Sequence, residues 1–187
     1  MPIVEALIQS FILVAISEMG DKTQLLGLIF VLRYKQPWTI MAAIFVATIA
    51  NHLGAAWCGT FLAGQVRGET LKYILGALFI IFGIWILKPD SDEGLDKQYK
   101  YGPFWTTLVV FFLAEMGDKT QLATIALGAR YQSVLAVTAG STLGMLLSNG
   151  ISVFGGERLI KIIPMAYVRY TASILFLVFG VLILPIW

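Results

Sequence analysis

The 187 residues include one cysteine, Cys58, and one histidine, His52. A lone thiol excludes an intrachain disulfide and any cysteine-based metal cage. A lone imidazole likewise leaves no paired-histidine metal site. Charge is scarce as well, with 13% Asp, Glu, Lys and Arg against 58% hydrophobic residues. The mean hydropathy of +0.83 lies far outside the range of soluble globular chains. These values describe an all-α integral membrane protein with almost nothing left over for a soluble domain. A net charge of +2, with the basic residues near span ends, gives no nucleic-acid partner and makes the lipid bilayer the expected surroundings. Glu5 near the N-terminus, with no basic segment ahead of a short apolar core and small-residue cleavage site, predicts that the first span is retained and not removed as a signal peptide.

A span needs roughly 20 mainly apolar residues. Six such runs are present, at about 3–32, 38–63, 71–87, 104–129, 133–154 and 168–187. Within them one eight-residue string occurs twice without change, as Glu18-Met19-Gly20-Asp21-Lys22-Thr23-Gln24-Leu25 and Glu115-Met116-Gly117-Asp118-Lys119-Thr120-Gln121-Leu122. The 97-residue shift that superimposes the strings also places Arg33-Tyr34 on Arg130-Tyr131, Phe79 on Phe176, Phe82-Gly83 on Phe179-Gly180 and Leu87 on Leu184. The chain therefore reads as a tandem duplication: a first three-helix repeat at 1–88, a linker at 89–103 and a second repeat at 104–187. Three spans per repeat make the second copy enter the membrane from the opposite side, so the six transmembrane helices form two inverted repeats. In that plan the ion site lies near the midplane, where the repeats meet.

Charged side chains at that depth cost several kcal/mol each if they face lipid, so the motif groups must face each other, an ion or water. On an unbroken helix Glu18, Asp21 and Lys22 fall at i, i+3 and i+4 on one face, with Gln24 beside Asp21. Gly20 and Gly117 are weak points, and unwinding there would add carbonyls and the Thr23 hydroxyl as oxygen ligands. Four carboxylates, Glu18, Asp21, Glu115 and Asp118, then make a hard, oxygen-rich site suited to Ca²⁺, Mn²⁺ or Mg²⁺ rather than Zn²⁺ or Cu⁺. Lys22 and Lys119 tune its charge, while Thr23, Thr120, Gln24 and Gln121 are further candidate ligands. The thioethers of Met19 and Met116 are softer candidates or simple packing groups.

Span two adds Asn51 and His52, and its counterpart, span five, adds Thr138, Ser141, Thr142, Ser148 and Asn149. The shift pairs Asn51 with Ser148, whereas residue type pairs it with Asn149. These groups either complete the site as neutral oxygen ligands or belong to a small-residue packing stripe with Gly54, Gly140 and Gly144. For His52 a helix-packing hydrogen bond competes with a proton relay. The motif charges themselves have a bland alternative, in which they only neutralise each other to hold helices together. Paired carboxylates also serve intramembrane hydrolases. No soluble active-site domain, histidine-rich motif or asymmetry between the copies supports that use. A passive channel with a carboxylate ring would need the same residues.

The doubled Glu-x-Gly-Asp-Lys-Thr motif, each copy in the first span of a three-span repeat, resembles the Gdt-type family of cation/proton exchangers, including its bacterial MneA-like manganese exporters. The resemblance covers nearly the whole chain. It implies a secondary transporter rather than an enzyme, with no cofactor, that exports Mn²⁺, or Ca²⁺ in some members, in exchange for protons. The ion would be bound by Glu18, Asp21, Glu115 and Asp118. It further implies a multi-pass protein of the bacterial inner membrane, with the divalent ion and protons as its partners; a homodimer stays open.

Charge bookkeeping adds a reason for exchange. Each motif carries a formal −1, so two copies carry −2, which one divalent cation or two protons would neutralise. Orientation follows from the basic residues outside the motifs. Arg33, Lys35, Lys88, Lys97, Lys100, Arg158, Lys161 and Arg169 collect on one side, and Arg67, Lys72 and Arg130 on the other. The richer side belongs in the cytoplasm, which puts both termini outside. A topology reporter fused at Trp187 is therefore expected to be active outside the cytoplasm, and one placed in the Lys88 to Tyr101 linker inside; the reverse pattern would overturn the orientation.

Overall fold

The computed structural model describes residues 2–66, 68–88, 101–162 and 165–184. The acidic part of the expected linker at 89–100, Arg67 and Trp187 lie outside the described residues. Among the described residues the chain forms eight α-helices and no strand: α1 Pro2–Ser17, α2 Lys22–Tyr34, α3 Pro37–Gln65, α4 Gly68–Ile86, α5 Pro103–Glu115, α6 Lys119–Tyr131, α7 Val134–Ile162 and α8 Met165–Ile183. The bounds of α2, α3 and α4 shifted by 97 residues are the bounds of α6, α7 and α8. Helix ends therefore follow the duplication even where the residues differ, as at Pro37 and Val134.

The expected continuous first span is not one helix. α1 ends at Ser17, α2 begins at Lys22, and their axes differ by 71°. The cause is local. Gly20 sits at φ 81° and Gly117 at φ 78°, a left-handed conformation that disfavours residues with a Cβ. Turn bonds from Asp21 N to Glu18 O and from Asp118 N to Glu115 O, each 3.2 Å, close the chain around the glycines. The reading that places Glu18, Asp21 and Lys22 on one face of a regular helix is thus corrected: they stand on either side of a break. The span expected at 104–129 is divided in the same way into α5 and α6.

The half-helices also stop at matched places. Lys35 and Gln132 adopt left-handed φ of 54° and 48°, and their N–H groups cap Val31 O and Gly128 O at 2.8 and 2.9 Å. Of the described helices, α3, α4, α7 up to Gly156 and α8 from Ala166 are individually long and apolar enough to cross a membrane, and the bent α1–α2 pair makes a fifth candidate. α5 is apolar but has only 13 residues, or ~20 Å of helix. Gly156, at φ 66°, interrupts α7 near its end.

The helices pair mainly as α1 on α7, α3 on α6 and α4 on α8, and each pair is brought close by glycine. A Cβ on Gly140 would strike the Leu7 carbonyl, and one on Gly144 would lie 2.6 Å from the Phe11 carbonyl. Gly59 and Gly128 bring α3 and α6 together against the backbones of Ile125 and Ala56. Gly54, expected in the same stripe, instead faces open space. Between α4 and α8, Gly83 and Gly180 flank an aromatic cluster in which Phe79 packs on its own counterpart Phe176, with ring centroids 5.8 Å apart. Phe79 thus meets its own duplicate at the seam where α4 and α8 pack together. Trp38, Tyr101, Trp105 and Tyr167 are exposed by 63% or more, as interfacial anchors are.

Close backbone approach sets a steric test. Gly59→Ala is expected to lower the thermal stability of detergent-solubilised protein by about 1–3 kcal/mol, whereas Gly54→Ala leaves it within about 0.5 kcal/mol. Equal effects at the two glycines would contradict the α3–α6 contact.

Candidate metal-ion site

Each break leaves the C-terminal end of one half-helix facing the N-terminal end of the next, with orphan carbonyls on one side and orphan N–H groups on the other. The motif residues hold this arrangement open. Gly20 N donates to Gln24 Oε1 at 2.8 Å, and Gly117 N to Gln121 Oε1 at 2.7 Å. The other end of each glutamine amide reaches the opposite repeat. Gln24 Nε2 donates to Ser148 O at 2.9 Å, and Gln121 Nε2 to Asn51 Oδ1 at 3.4 Å. Asn51 in turn donates to Phe112 O at 3.0 Å. The glutamine oxygens and Asn51 Oδ1 are therefore bound up in bracing the breaks against α7 and α3.

The acidic groups lie inside this frame. Thr23 Oγ1 donates to Glu18 Oε2 at 3.0 Å. Thr120 Oγ1 lies 3.5 Å from Glu115 Oε2 and 3.3 Å from Asp118 Oδ2. Glu18, Asp21 and Asp118 each place a carboxylate oxygen within 4.8 Å of the other two, so the cluster draws on both motifs. Glu115 stands outside that trio, fully buried, but close enough to act electrostatically on Glu18, Asp118 and Asp21. Among the described residues one oxygen each of Glu18 and Glu115 is buried with no hydrogen-bond partner, as are Ser148 Oγ and Asn149 Oδ1. Buried carboxylate oxygens without donors fit a cationic ligand, because leaving them bare is costly.

Identical motifs do not sit in identical surroundings. Lys22 Nζ pairs with Asp118 Oδ1 at 3.1 Å, whereas Lys119 Nζ donates to the Lys88 carbonyl at 3.2 Å. α6 packs against α4, but its counterpart α2 makes little contact with α8. On that looser side a cavity of about 190 Å³ reaches Gly20, Asp21 and Lys22 between the ends of α4 and α8. Met19 lies on its wall, while Met116 is 55% exposed.

Asn149 donates its amide to Met145, and its oxygen faces the position of Gly27, 3.6 Å from where a Cβ would be. Thr138 and Thr142 are buried in α7, and Ser141 bonds back to Val137 O at 2.7 Å. His52 is fully buried, yet neither ring nitrogen has a hydrogen-bond partner among the described residues, so the expected packing bond is absent there. Lys88 and Arg169, taken from sequence as topology charges, line the cavity. Arg169 could have been flagged, since the 97-residue shift places it on Lys72.

The donor set is oxygen, anionic and buried, which suits a hard divalent cation. Comparison with known proteins bears on this directly. Residues 6–94 and 103–185 match the family described as divalent cation/proton antiporter GDT1. A Vibrio cholerae protein provisionally named a manganese exporter is 45% identical over 88% of this chain and 82% of its own. A GDT1-like protein of Synechocystis is 30% identical over 91% of this chain and 92% of its own. The chloroplast PAM71-homolog protein of Arabidopsis thaliana is 26% identical over 91% of this chain but 56% of its own. No solved structure matches the chain. Set beside three convergent carboxylates in an all-helical membrane protein, these matches identify a transporter of divalent cations, and the chain belongs to the GDT1 family.

Proposed function

We propose that the protein exports Mn²⁺ from the bacterial cytoplasm across the inner membrane in exchange for protons, with Ca²⁺ as the second cargo the oxygen donors suit. The observation that carries the reading is the meeting of Glu18 and Asp21 from one motif with Asp118 from the other within 4.8 Å. Glu115 supplies the fourth carboxylate. The relative provisionally named a manganese exporter favours Mn²⁺ as the cargo.

In this reading α1–α2 and α5–α6 are each one broken span. The protein then has six spans in two inverted repeats, with both termini outside. Half-helix ends at the midplane are the usual device for holding an ion in such transporters. Charge gives the reason for exchange. Two Glu, two Asp and two Lys carry a formal −2, so one divalent cation or two protons make a neutral assembly able to change its exposure. The empty, charged site resists that change, because desolvated charge is costly.

Lys22 occupies Asp118 in the state described. An arriving metal ion has to displace that ammonium, which gives Lys22 a role as internal competitor. α6 is closed onto α4, while α2 stands away from α8 and leaves the cavity open toward Asp21. Lys88 and Arg169 on the cavity wall belong to the basic-rich side, so this state corresponds to access from the cytoplasm. By pseudo-symmetry, the opposite state would close α2 onto α8 and open α6 from α4.

Glu18→Gln and Glu115→Gln are each expected to abolish Mn²⁺ transport while folded protein remains in the membrane. A silent Glu115→Gln would leave a site built from the trio alone. The exchange itself is tested in proteoliposomes: Mn²⁺ flux should carry an opposite proton flux reported by a pH dye, and an imposed pH gradient should drive Mn²⁺ uphill in sodium-free buffer. Mn²⁺ movement only down its own gradient, with no counter-flux, would mean a channel or uniporter.

A further inference from the structure

The cavity that gives access to the acidic cluster has the wrong charge for a cation vestibule. Lys22, Lys88, Lys119 and Arg169 contribute to its wall, and Asp21 is the acidic group facing them. Lys22 is already paired with Asp118, and leaving it out still sets three cations against one carboxylate among the described residues lining the cavity. Lys22 and Lys119 are also the first residues of α2 and α6, each 13 residues long. Gly20, Asp21 and Lys22 at the start of α2 line the cavity, so the positive end of that helix adds to the same field. Like charges gathered in one cavity repel each other, and an anion placed among them relieves that repulsion.

We infer that this cavity is a binding site for a phosphate-class oxyanion, held by Arg169, Lys88 and Lys119. The planar fork of an arginine beside two ammonium groups suits a tetrahedral anion with several acceptor oxygens. A volume of about 190 Å³ has room for such a group.

A second cavity points to where the phosphate comes from. Arg169 is shared with an adjoining groove of about 240 Å³, whose other walls are Leu87, Ala166 and Tyr170. Leu87 is 42% exposed and Tyr170 59%. A basic pocket continued by apolar surface at the end of two spans matches the two halves of an anionic phospholipid: phosphodiester inside, glycerol and acyl chain outside. Free phosphate would use the same basic groups without the groove.

Its consequence rests on the transport reading above. An anion beside Lys22 would draw that ammonium away from Asp118 and release a metal-binding carboxylate. The binding site itself does not depend on that step.

Thermal unfolding of the full-length protein in detergent tests the site directly. Phosphatidylglycerol is expected to raise the midpoint by about 2–4 °C over the same amount of phosphatidylcholine. Arg169→Gln with Lys88→Gln should raise the half-saturating lipid concentration by roughly ten-fold or more. A parallel series compares sodium sulfate with sodium chloride at equal ionic strength. Response to phosphatidylglycerol alone identifies a lipid headgroup; a response to sulfate that the double variant loses identifies a free oxyanion as an occupant. Both outcomes support the site.

Equal effects of the two lipids together with no sulfate effect overturn it, as does a response that survives unchanged in the double variant. Should that variant fail to fold, the wild-type comparison of lipids and salts decides alone. Glu18→Gln should keep the anion response while losing transport, which separates failure of the site from failure of the transport reading.

Discussion

Everything in this fold answers to the cost of holding charge away from water. The motifs place two Glu, two Asp and two Lys within apolar sequence, and a charged group at the centre of a spanning helix costs about 3 kcal/mol even on the most lenient scale. Facing the groups inward reduces that cost but does not satisfy them. The break does more. At Gly20 and Gly117 the helix ends turn toward the carboxylates, and the threonines and glutamines of the same motif reach back across the gap. Thr23 donates to Glu18, and Gln24 fixes the glycine turn while tying it to α7. The threonines, glutamines and glycines of the motif thus have physical tasks, and glycine supplies the backbone conformation that the other tasks require.

The arrangement also explains why small residues concentrate elsewhere. A broken helix contributes fewer intrahelical bonds, so its halves depend on packing against unbroken neighbours. α1 lies against α7 through Gly140 and Gly144, and α6 against α3 through Gly59 and Gly128. Such backbone-to-backbone contact is the main source of helix association where lipid removes the hydrophobic drive. α4 and α8, with no charge inside their apolar runs, supply the remaining scaffold, and Phe79 and Phe176 meet at its centre.

Much of this was legible in the sequence, and the parts that were not have definite causes. Repetition of eight residues and a single 97-residue shift gave the duplication, and the helix bounds follow that shift. The shared carboxylate cluster was legible too, because buried acids in two copies must find a common partner. Sequence left the break undecided, since glycine is tolerated inside a helix at modest cost; the matched φ of 81° and 78° settles it. Gly54 misled because composition does not say which face of α3 meets a neighbour, and it looks into open space. Glu115 and Glu18 occupy equivalent positions, yet only Glu18 belongs to the trio. Two identical strings cannot reveal which copy's glutamate joins the cluster.

That last difference is the physical content of the duplication. If both repeats were folded alike, Lys22 and Lys119 would make equivalent bonds, and the site would be equally exposed on its two sides. Instead Lys22 lies on Asp118, Lys119 lies on a carbonyl at the end of α4, and α6 rests on α4 while α2 stands off α8. Under the proposed exchange, the two motifs, identical in sequence but unequal in surroundings, are the parts that would trade places. Under that proposal an ion held between them would change its exposure while keeping the same ligands. The half-helices are short and joined through glycine, which puts the backbone breaks beside the charged groups of the motifs.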